Sequence, residues 1–181
     1  VVNECQNQDF FWAIRGGGGG TFGVITKLTV KAYPAPKLVM GGFDISAKNH
    51  TSADDWYKLV AKVHALFPDI QDAGLHGYYT VEGPPAVETL TFSGSLMLFD
   101  GSNKTFDDAL EPFKRLLGAS NSTVTWSLTK LPVNSWQEML KIVPDIGSVS
   151  PGYNIRASRL ISRQTVTEET DDFAAVYKEI G

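Results

Sequence analysis

The sequence predicts an α+β fold: an antiparallel sheet with helices packed over one face. From residue 37 on, strand and helix patterns follow in the order β-α-β-β-α-β-α-β-α, a run that usually folds into such a layer. Two neighbouring strand patterns flank Gly83-Pro84-Pro85, which predicts an antiparallel hairpin. In the second of them Leu90, Phe92, Leu96 and Leu98 share one side, which predicts a single buried face.

Five strands are expected in this part of the chain because apolar and polar residues alternate there. Their predicted ranges are 38–46, 75–81, 88–99, 123–130 and 153–162. In the fourth, alternation places Trp126 on the same side as Val124 and Leu128.

The helices are predicted from apolar residues at helical spacing and from caps. Ser52 begins the first helix and Pro68 is expected to end it. A second helix is predicted over 105–117, with Gly118 as its stop. Ser135 to Glu138 form a capping box for a short helix, and a last helix is marked by Phe173, Val176, Tyr177 and Ile180.

Composition excludes several function classes. The 181 residues carry 16 Lys and Arg against 20 Asp and Glu, a net charge of −4, with a pI near 5.3. Binding to nucleic acid or to an anionic membrane requires a dense positive face, so neither partner is expected. The single Cys5 excludes an internal disulfide. The three histidines show no ligand spacing, so no metal site is predicted.

The first 36 residues differ from the rest. Residues 9–14 predict a short apolar helix or turn, and five glycines, Gly16 to Gly20, follow Arg15. The β-branched alternation of 24–32 predicts a strand, which Pro34 and Pro36 end. We therefore place a domain boundary there, between residues 1–36 and 37–181.

The glycine run is the strongest local signal. Gly18 to Gly23 satisfy G-x-G-x-x-G, but a strand is predicted after it where the dinucleotide fingerprint needs a helix. No Lys-Ser or Lys-Thr follows the glycines, so the P-loop interpretation also fails. A flexible linker is one alternative. The other is a backbone nest, in which glycines turn several N–H groups toward an anion and allow close approach of a flat ring.

The stretch from Asn7 to Thr26, which contains Asp9-Phe10-Phe11-Trp12-Ala13-Ile14-Arg15 and the glycine run, closely resembles the end of the FAD-binding domain of FAD-linked oxidases. The family is that of vanillyl-alcohol oxidase and p-cresol methylhydroxylase (the PCMH type), and the fungal berberine-bridge-enzyme-like branch is the most similar. The remainder is compatible in element order with the family's substrate domain. The family's upstream histidine loop, its covalent cysteine motif and its downstream tyrosine-rich return find no match here, so an internal fragment of such a protein is expected.

The resemblance implies an oxidase that binds FAD and passes a hydride from an alcohol, sugar or alkaloid-like substrate to the flavin, with dioxygen as the electron acceptor. It implies that the chain supplies part of the flavin cradle and walls of the substrate pocket, with the rest of the flavin domain as a further partner. The residues it implies at the cofactor are Gly17, Gly18, Gly19, Gly20, Thr21, Phe22, Gly23, Val24 and Ile25.

Tyr79, Trp126 and Arg159 lie on predicted strands of the substrate domain and are the candidate substrate contacts. For Trp126 core packing is the alternative, because it alternates with Val124 and Leu128. No catalytic residue is assigned, since no Ser-His-Asp or Cys-His arrangement is suggested. The acidic pairs are expected in first helical turns, where they complement the helix dipole.

Three acceptor sequons begin at Asn49, Asn103 and Asn121, each at a predicted loop or helix start. They predict N-glycosylation and a secreted protein, with coincidence as the alternative. Two other functions stay open from the sequence. One is a non-catalytic α+β ligand-binding or interaction module derived from such an oxidase. The other is a carbohydrate-binding module, which would need an exposed aromatic platform.

Overall fold

The computed structural model describes residues 1–18, 20–131, 133, 135–142 and 158–180. The chain divides into two compact units, Val1–Pro34 and Ala35–Gly181.

The described residues of the first unit form one helix, α1 (Gln8–Ile14), which the glycine loop follows. The strand predicted over 24–32 is wrong: these residues have no regular secondary structure. The side chains of Val24, Leu28 and Val30 are 92%, 74% and 72% exposed. A strand forms only when its backbone groups pair with a neighbour, and no described residue of this unit supplies one.

The second unit is built on a four-stranded sheet and confirms the predicted α+β class. The strands are β1 (Leu38–Ala47), β2 (Leu75–Glu82), β3 (Thr91–Phe99) and β4 (Val124–Leu131). They lie in the order β2-β3-β1-β4, and every neighbouring pair is antiparallel. The predicted hairpin is β2–β3. Of the fifth predicted strand, residues 153–157 lie outside the described residues, and 158–162 form no strand.

Six helices of this unit are described: α2 (Ala53–Asp72), α3 (Asn103–Ala109), α4 (Glu111–Ala119), α5 (Trp136–Ile142), α6 (Arg163–Glu168) and α7 (Thr170–Ile180). The short helix predicted from the capping box and the last helix are confirmed as α5 and α7, whereas α6 was not predicted. None of the described helices combines the length and apolarity needed to cross a bilayer.

Two predicted helix boundaries are corrected. Pro68 lies inside α2, which continues to Asp72 and ends before Gly74, whose φ of 91° is typical of a residue just past a helix. The single helix predicted over 105–117 is two helices that meet at Leu110, and the second continues past Gly118 to Ala119. Pro112 has no N–H to bond back into α3, which accounts for the break.

The main core lies between one face of the sheet and helices α2, α3 and α4. Alternate strand residues point into it, as the pleat requires. Its largest fully buried side chains are Trp56, Phe43, Phe92, Phe106 and Phe113. Helices α6 and α7 pack on α2 through Val166, Phe173, Ala174 and Ala61.

The caps and surface charges follow helix-end rules. Ser52, Ser102 and Ser162 each accept a hydrogen bond from a backbone N–H three residues on. Asp54 and Asp55 lie in the first turn of α2, and Asp171 and Asp172 in that of α7. The pairs at 107–108 and 168–169 do not lie in a first turn, contrary to expectation; Asp107 instead pairs with Lys130 at 2.7 Å.

Candidate functional site

The loop after α1 has a backbone that only glycine adopts readily. Gly16 and Gly18 have φ values of 130° and 93°, where a side chain is strained. A Cβ on Gly17 would meet the Ala13 carbonyl oxygen and come within 2.5 Å of the Phe22 ring. The loop is therefore fixed in a form that depends on glycine, which argues against a flexible linker.

Several backbone N–H groups of this loop are free to bind another molecule. The N–H of Gly17 donates to Ala13, and that of Thr21 to Gly18 at 3.4 Å. Those of Gly18, Gly20, Phe22 and Gly23 donate to no other described residue. Backbone N–H groups without an acceptor of their own, in a loop that consists mostly of glycine, suit an anionic or ring-shaped group.

In the second unit, the side of the sheet opposite α2, α3 and α4 forms a second candidate surface, which we call the open face. Strand register places its side chains in rows across the sheet. One row is Thr80, Ser93, Asp44 and Ser127, and the next is Tyr78, Ser95, Gly42 and Thr129. Hydroxyl groups therefore dominate the open face around a single central carboxylate.

One end of the open face is apolar and is covered by α5. Met139 of α5 packs with Leu38 and Met40 of β1, and Met97 and Val133 lie against them. These are the three methionines of the sequence. We call this the methionine end of the open face.

A cavity of about 690 Å³ lies along the edge strand β2 and is lined from both sides of the sheet, by Leu75 and Tyr79 on the helix-covered side and by Tyr78 and Met97 on the open face. A buried histidine lies in its wall. The His64 side chain is 3% exposed. Its Nδ1 lies 2.7 Å from the Val60 carbonyl and its Nε2 2.9 Å from the Tyr79 hydroxyl. Since a carbonyl only accepts, Nδ1 carries the proton and Tyr79 donates to Nε2. Burial raises the pKa of Tyr79 to about 12 and lowers that of His64.

The chain was compared with known proteins. It is 32% identical over 169 residues to an FAD-linked oxidoreductase of Arthroderma benhamiae, an alignment that covers 91% of this chain and 29% of that protein. It is 30% identical over 167 residues to the FAD-linked oxidoreductase easE of Epichloe festucae var. lolii, covering 91% of this chain and 26% of that protein. The VAO-type flavoprotein MtVAO713 of Myceliophthora thermophila C1 has the same fold, with a TM-score of 0.72 at 21% identity over 97% of this chain and 32% of that one.

The chain aligns over most of its length with part of two FAD-linked oxidoreductases, and it has the fold of VAO-type flavoproteins. No family model matches it. It spans about 29% of the length of the first of these relatives. The predicted family and its cofactor, FAD, are thereby confirmed.

The glycine loop of this chain fits a flavin dinucleotide. Gly18, Gly20, Phe22 and Gly23 offer the free N–H groups described above, and Gly18 and Gly20 leave the backbone bare. The N–H groups of Gly17 and Thr21 are used inside the loop, so any contact they make with FAD would be through other atoms. Val24 and Ile25 are exposed but not part of a strand. Gly19 lies outside the described residues.

The predicted substrate residues are not brought together. Tyr79 and Trp126 both lie on the helix-covered side, where Tyr79 bonds to His64 and Trp126 packs against the main core. Arg159 is exposed in a segment without regular secondary structure. Their substrate roles stay predictions, but the open face presents Tyr78, not Tyr79. Sequence alternation separates these two tyrosines, but it does not say which side of the sheet the helices cover.

The sequon asparagines are all exposed. Asn49 and Asn121 lie in two loops that are bonded together: the N–H of Lys48 donates to the Thr123 carbonyl at 2.9 Å, and the Thr51 hydroxyl donates to the same oxygen. The Oδ1 atom of Asn121 accepts from the Trp126 indole at 2.7 Å. That bond leaves the amide nitrogen, the atom to which an N-linked glycan would attach, outside the contact.

We expect the free energy of unfolding to fall as the pH drops below about 6.5, the usual pKa of a histidine. Native His64 resists protonation because it is buried, whereas the unfolded chain takes up the proton, so acid favours unfolding. Urea titrations at pH 7.5 and 5.5 measure the difference. The substitution His64→Gln should remove most of it, while His76→Gln, at an exposed position, should retain it. If the difference in unfolding free energy between pH 7.5 and pH 5.5 were the same in both variants, protonation of His64 would not be its cause.

Proposed function

We propose that this protein is an FAD-dependent oxidase and that the chain supplies part of its flavin cradle and walls of its substrate pocket. The expected substrates are alcohols, sugars or secondary metabolites. The observation that carries the proposal is the glycine loop, with the positive φ angles of Gly16, Gly18 and Gly23 and its free N–H groups. The alignments with FAD-linked oxidoreductases over most of the chain support it.

When bound, FAD would accept a hydride from a substrate C–H bond, and dioxygen would leave with the two electrons and two protons as hydrogen peroxide. The chain's own contribution is binding and orientation. The free N–H groups of Gly18, Gly20, Phe22 and Gly23 would hold the cofactor, since a backbone without side chains lets a flat ring approach closely. The hydroxyl rows of the open face would form part of the wall that orients the substrate.

We further propose that the protein is a secreted glycoprotein of the fungal berberine-bridge-like branch. The exposed sequon asparagines at 49, 103 and 121 support glycosylation. The two FAD-linked oxidoreductases described above come from fungi, which supports a fungal branch of the family.

The experiment is a visible absorption spectrum of two preparations after desalting: this chain mixed with FAD, and the longer gene product that contains it. We expect a flavin band only in the longer product, because the chain offers one loop of the cradle. Adding a substrate without air should bleach that band, and air should restore it with release of hydrogen peroxide. Treatment with an endoglycosidase should lower the mass of the secreted product.

Two glycine variants control for the loop. Gly18→Ala places a side chain at a φ of 93° and 2.9 Å from the Thr21 hydroxyl, so flavin occupancy should fall by about tenfold. Gly118→Ala, on α4 with no atom within 4 Å of the new Cβ, should leave occupancy unchanged. A longer product that holds no flavin would reject the oxidase and favour the alternative, a non-catalytic ligand-binding or interaction module.

A further inference from the structure

The sequon asparagine at position 121 differs from the other two because an aromatic side chain is bonded to its amide. The Trp126 indole N–H donates to the Asn121 Oδ1 atom at 2.7 Å. An indole nitrogen only donates, so the atom that it meets must be the amide oxygen, and this fixes the orientation of the amide. The side chains of Asn49 and Asn103 form no hydrogen bond with any residue that the structure describes. They are therefore matched controls for Asn121.

The turn between α4 and β4, which carries Asn121, is bonded to the loop that precedes α2. The Lys48 ammonium donates to the Asn121 carbonyl at 2.5 Å, and His50 Nε2 donates to the Ser122 carbonyl at 2.9 Å. The Thr123 carbonyl accepts from the backbone N–H of Lys48 at 2.9 Å. A group attached to Asn121 therefore starts from an ordered backbone and loses less conformational entropy when it packs.

The geometry of the amide directs an attached sugar toward the indole. An N-linked glycan begins with an N-acetylglucosamine on the amide nitrogen, which makes the amide a secondary one. Secondary amides strongly prefer the trans form, in which the new substituent lies on the same side as the carbonyl oxygen. Because the indole N–H is bonded to that oxygen, the first carbon of the sugar would lie within about 6 Å of the indole nitrogen.

Trp126 offers the surface for that contact. It is half-buried on the edge strand β4, where it packs against the main core, and its N–H meets Asn121 at the surface. Sugar rings carry faces of C–H groups, and tryptophan provides a flat apolar surface beside a polar N–H. The first sugar would cover part of the ring that the core leaves exposed.

We propose, on the basis of the secreted glycoprotein proposed above, that Asn121 carries a glycan whose first N-acetylglucosamine packs against Trp126. This sugar covers the exposed side of the indole and stabilises the junction between the α4–β4 turn and the loop before α2. The contribution is specific to this site, since no described aromatic side chain is bonded to the amide of Asn49 or Asn103.

The test compares the 181-residue chain secreted from a fungal host with the same chain made in the bacterial cytoplasm, where no N-glycan is attached. Mass spectrometry of the glycopeptides gives the occupancy of each sequon, and urea unfolding gives the stability. Asn121→Gln should raise the equilibrium constant for unfolding about fivefold more in the secreted chain than in the bacterial one. For Asn103→Gln the two preparations should agree within about twofold. Trimming the wild-type glycans to a single N-acetylglucosamine should leave the stability unchanged, because the first sugar makes the contact.

The indole N–H signal of Trp126 in NMR spectra locates the sugar. We expect this signal to differ between the secreted and bacterial chains, to keep its secreted position after trimming to one sugar, and to be unaffected by Asn103→Gln. The signal of Trp56, which is completely buried in the main core, is the internal control. In Trp126→Leu, which keeps an apolar side chain against the core, the fivefold difference for Asn121→Gln should disappear.

The outcomes separate this inference from the proposal on which it rests. An unoccupied Asn121 beside an occupied Asn49 or Asn103 would overturn the inference and leave the protein a glycoprotein. Equal effects of Asn121→Gln in the two preparations, or a Trp126 signal that the sugar does not move, would also overturn it. A secreted product without any N-glycan would reject both proposals. None of these measurements needs flavin, so they do not depend on the oxidase function.

Discussion

Replacing Trp56 with alanine is expected to lower the free energy of unfolding by about 3–5 kcal/mol. The Trp56 side chain is completely buried in the first turn of α2 and belongs to the main core. Truncation removes the largest apolar side chain of that core and leaves a cavity that the flanking sheet and helices cannot fill. Urea unfolding followed by far-UV circular dichroism measures the loss, since that signal does not depend on the deleted indole.

The phenylalanine variant at the same position sharpens this prediction. Among the described residues the Trp56 indole N–H has no hydrogen-bond partner, and burying such a group costs about 1–3 kcal/mol. Trp56→Phe removes that group and keeps most of the apolar volume, so it should cost far less than Trp56→Ala. Trp12→Ala, at a side chain 82% exposed, should stay within about 0.5 kcal/mol. If Trp56→Ala and Trp56→Phe lowered the free energy of unfolding equally, the buried apolar volume at this position would not be what stabilises the core.

The sheet could be predicted from the sequence because its signal is local. Phe92, Leu96 and Leu98 alternate with polar residues, and this parity places all three in the core. Three of the four strands agree with their predicted bounds to within a residue, and β3 begins three residues later than predicted. Side chains alternate between the two faces of a sheet whichever strand is the partner, so this pattern can be recognised without knowing the partner.

The predictions of secondary structure are wrong where an element needs a partner strand from elsewhere in the chain, or where a helix boundary depends on one missing backbone N–H. The segment 24–32 alternates as well as any strand, yet pairing needs a neighbour, which its own pattern does not supply. Pro68 and Pro112 show the converse: the first is tolerated inside α2 near its end, and the second separates α3 from α4. The sequence alone does not say whether neighbouring contacts compensate for a missing N–H.

The candidate site was predicted in part, for a comparable reason. The five consecutive glycines can be recognised directly in the sequence. Their role in the backbone of the loop follows from the conformational freedom of glycine. The open face is a property of the assembled sheet: Asp44 becomes notable only when Ser93 and Ser127 are placed beside it from other strands. The sequence signal for this face is a single carboxylate within the mostly apolar stretch of β1.

Phe43→Ala is expected to destabilise the second unit by about 3–5 kcal/mol, for a reason specific to the sheet. Phe43 lies opposite Gly94, and a Cβ on Gly94 would come within 2.7 Å of the Phe43 ring. The ring therefore occupies the space that the glycine leaves empty. It also makes edge contacts with Phe92 and Phe113, with ring centroids 5.3 and 5.2 Å apart. Truncation would remove both contacts and open a cavity between β1, β3 and α4, and no side chain at position 94 could fill it.

The matched control is Phe99→Ala, which deletes the same ring from the opposite side of the sheet, where it is 37% exposed. Its cost should be well below that of Phe43→Ala, because solvent replaces part of what is lost. Both variants are compared with the wild type by urea unfolding at pH 7.5, above the range in which His64 contributes. If the two losses were equal, the helix-covered face would contribute no more to the stability of the sheet than the opposite face does.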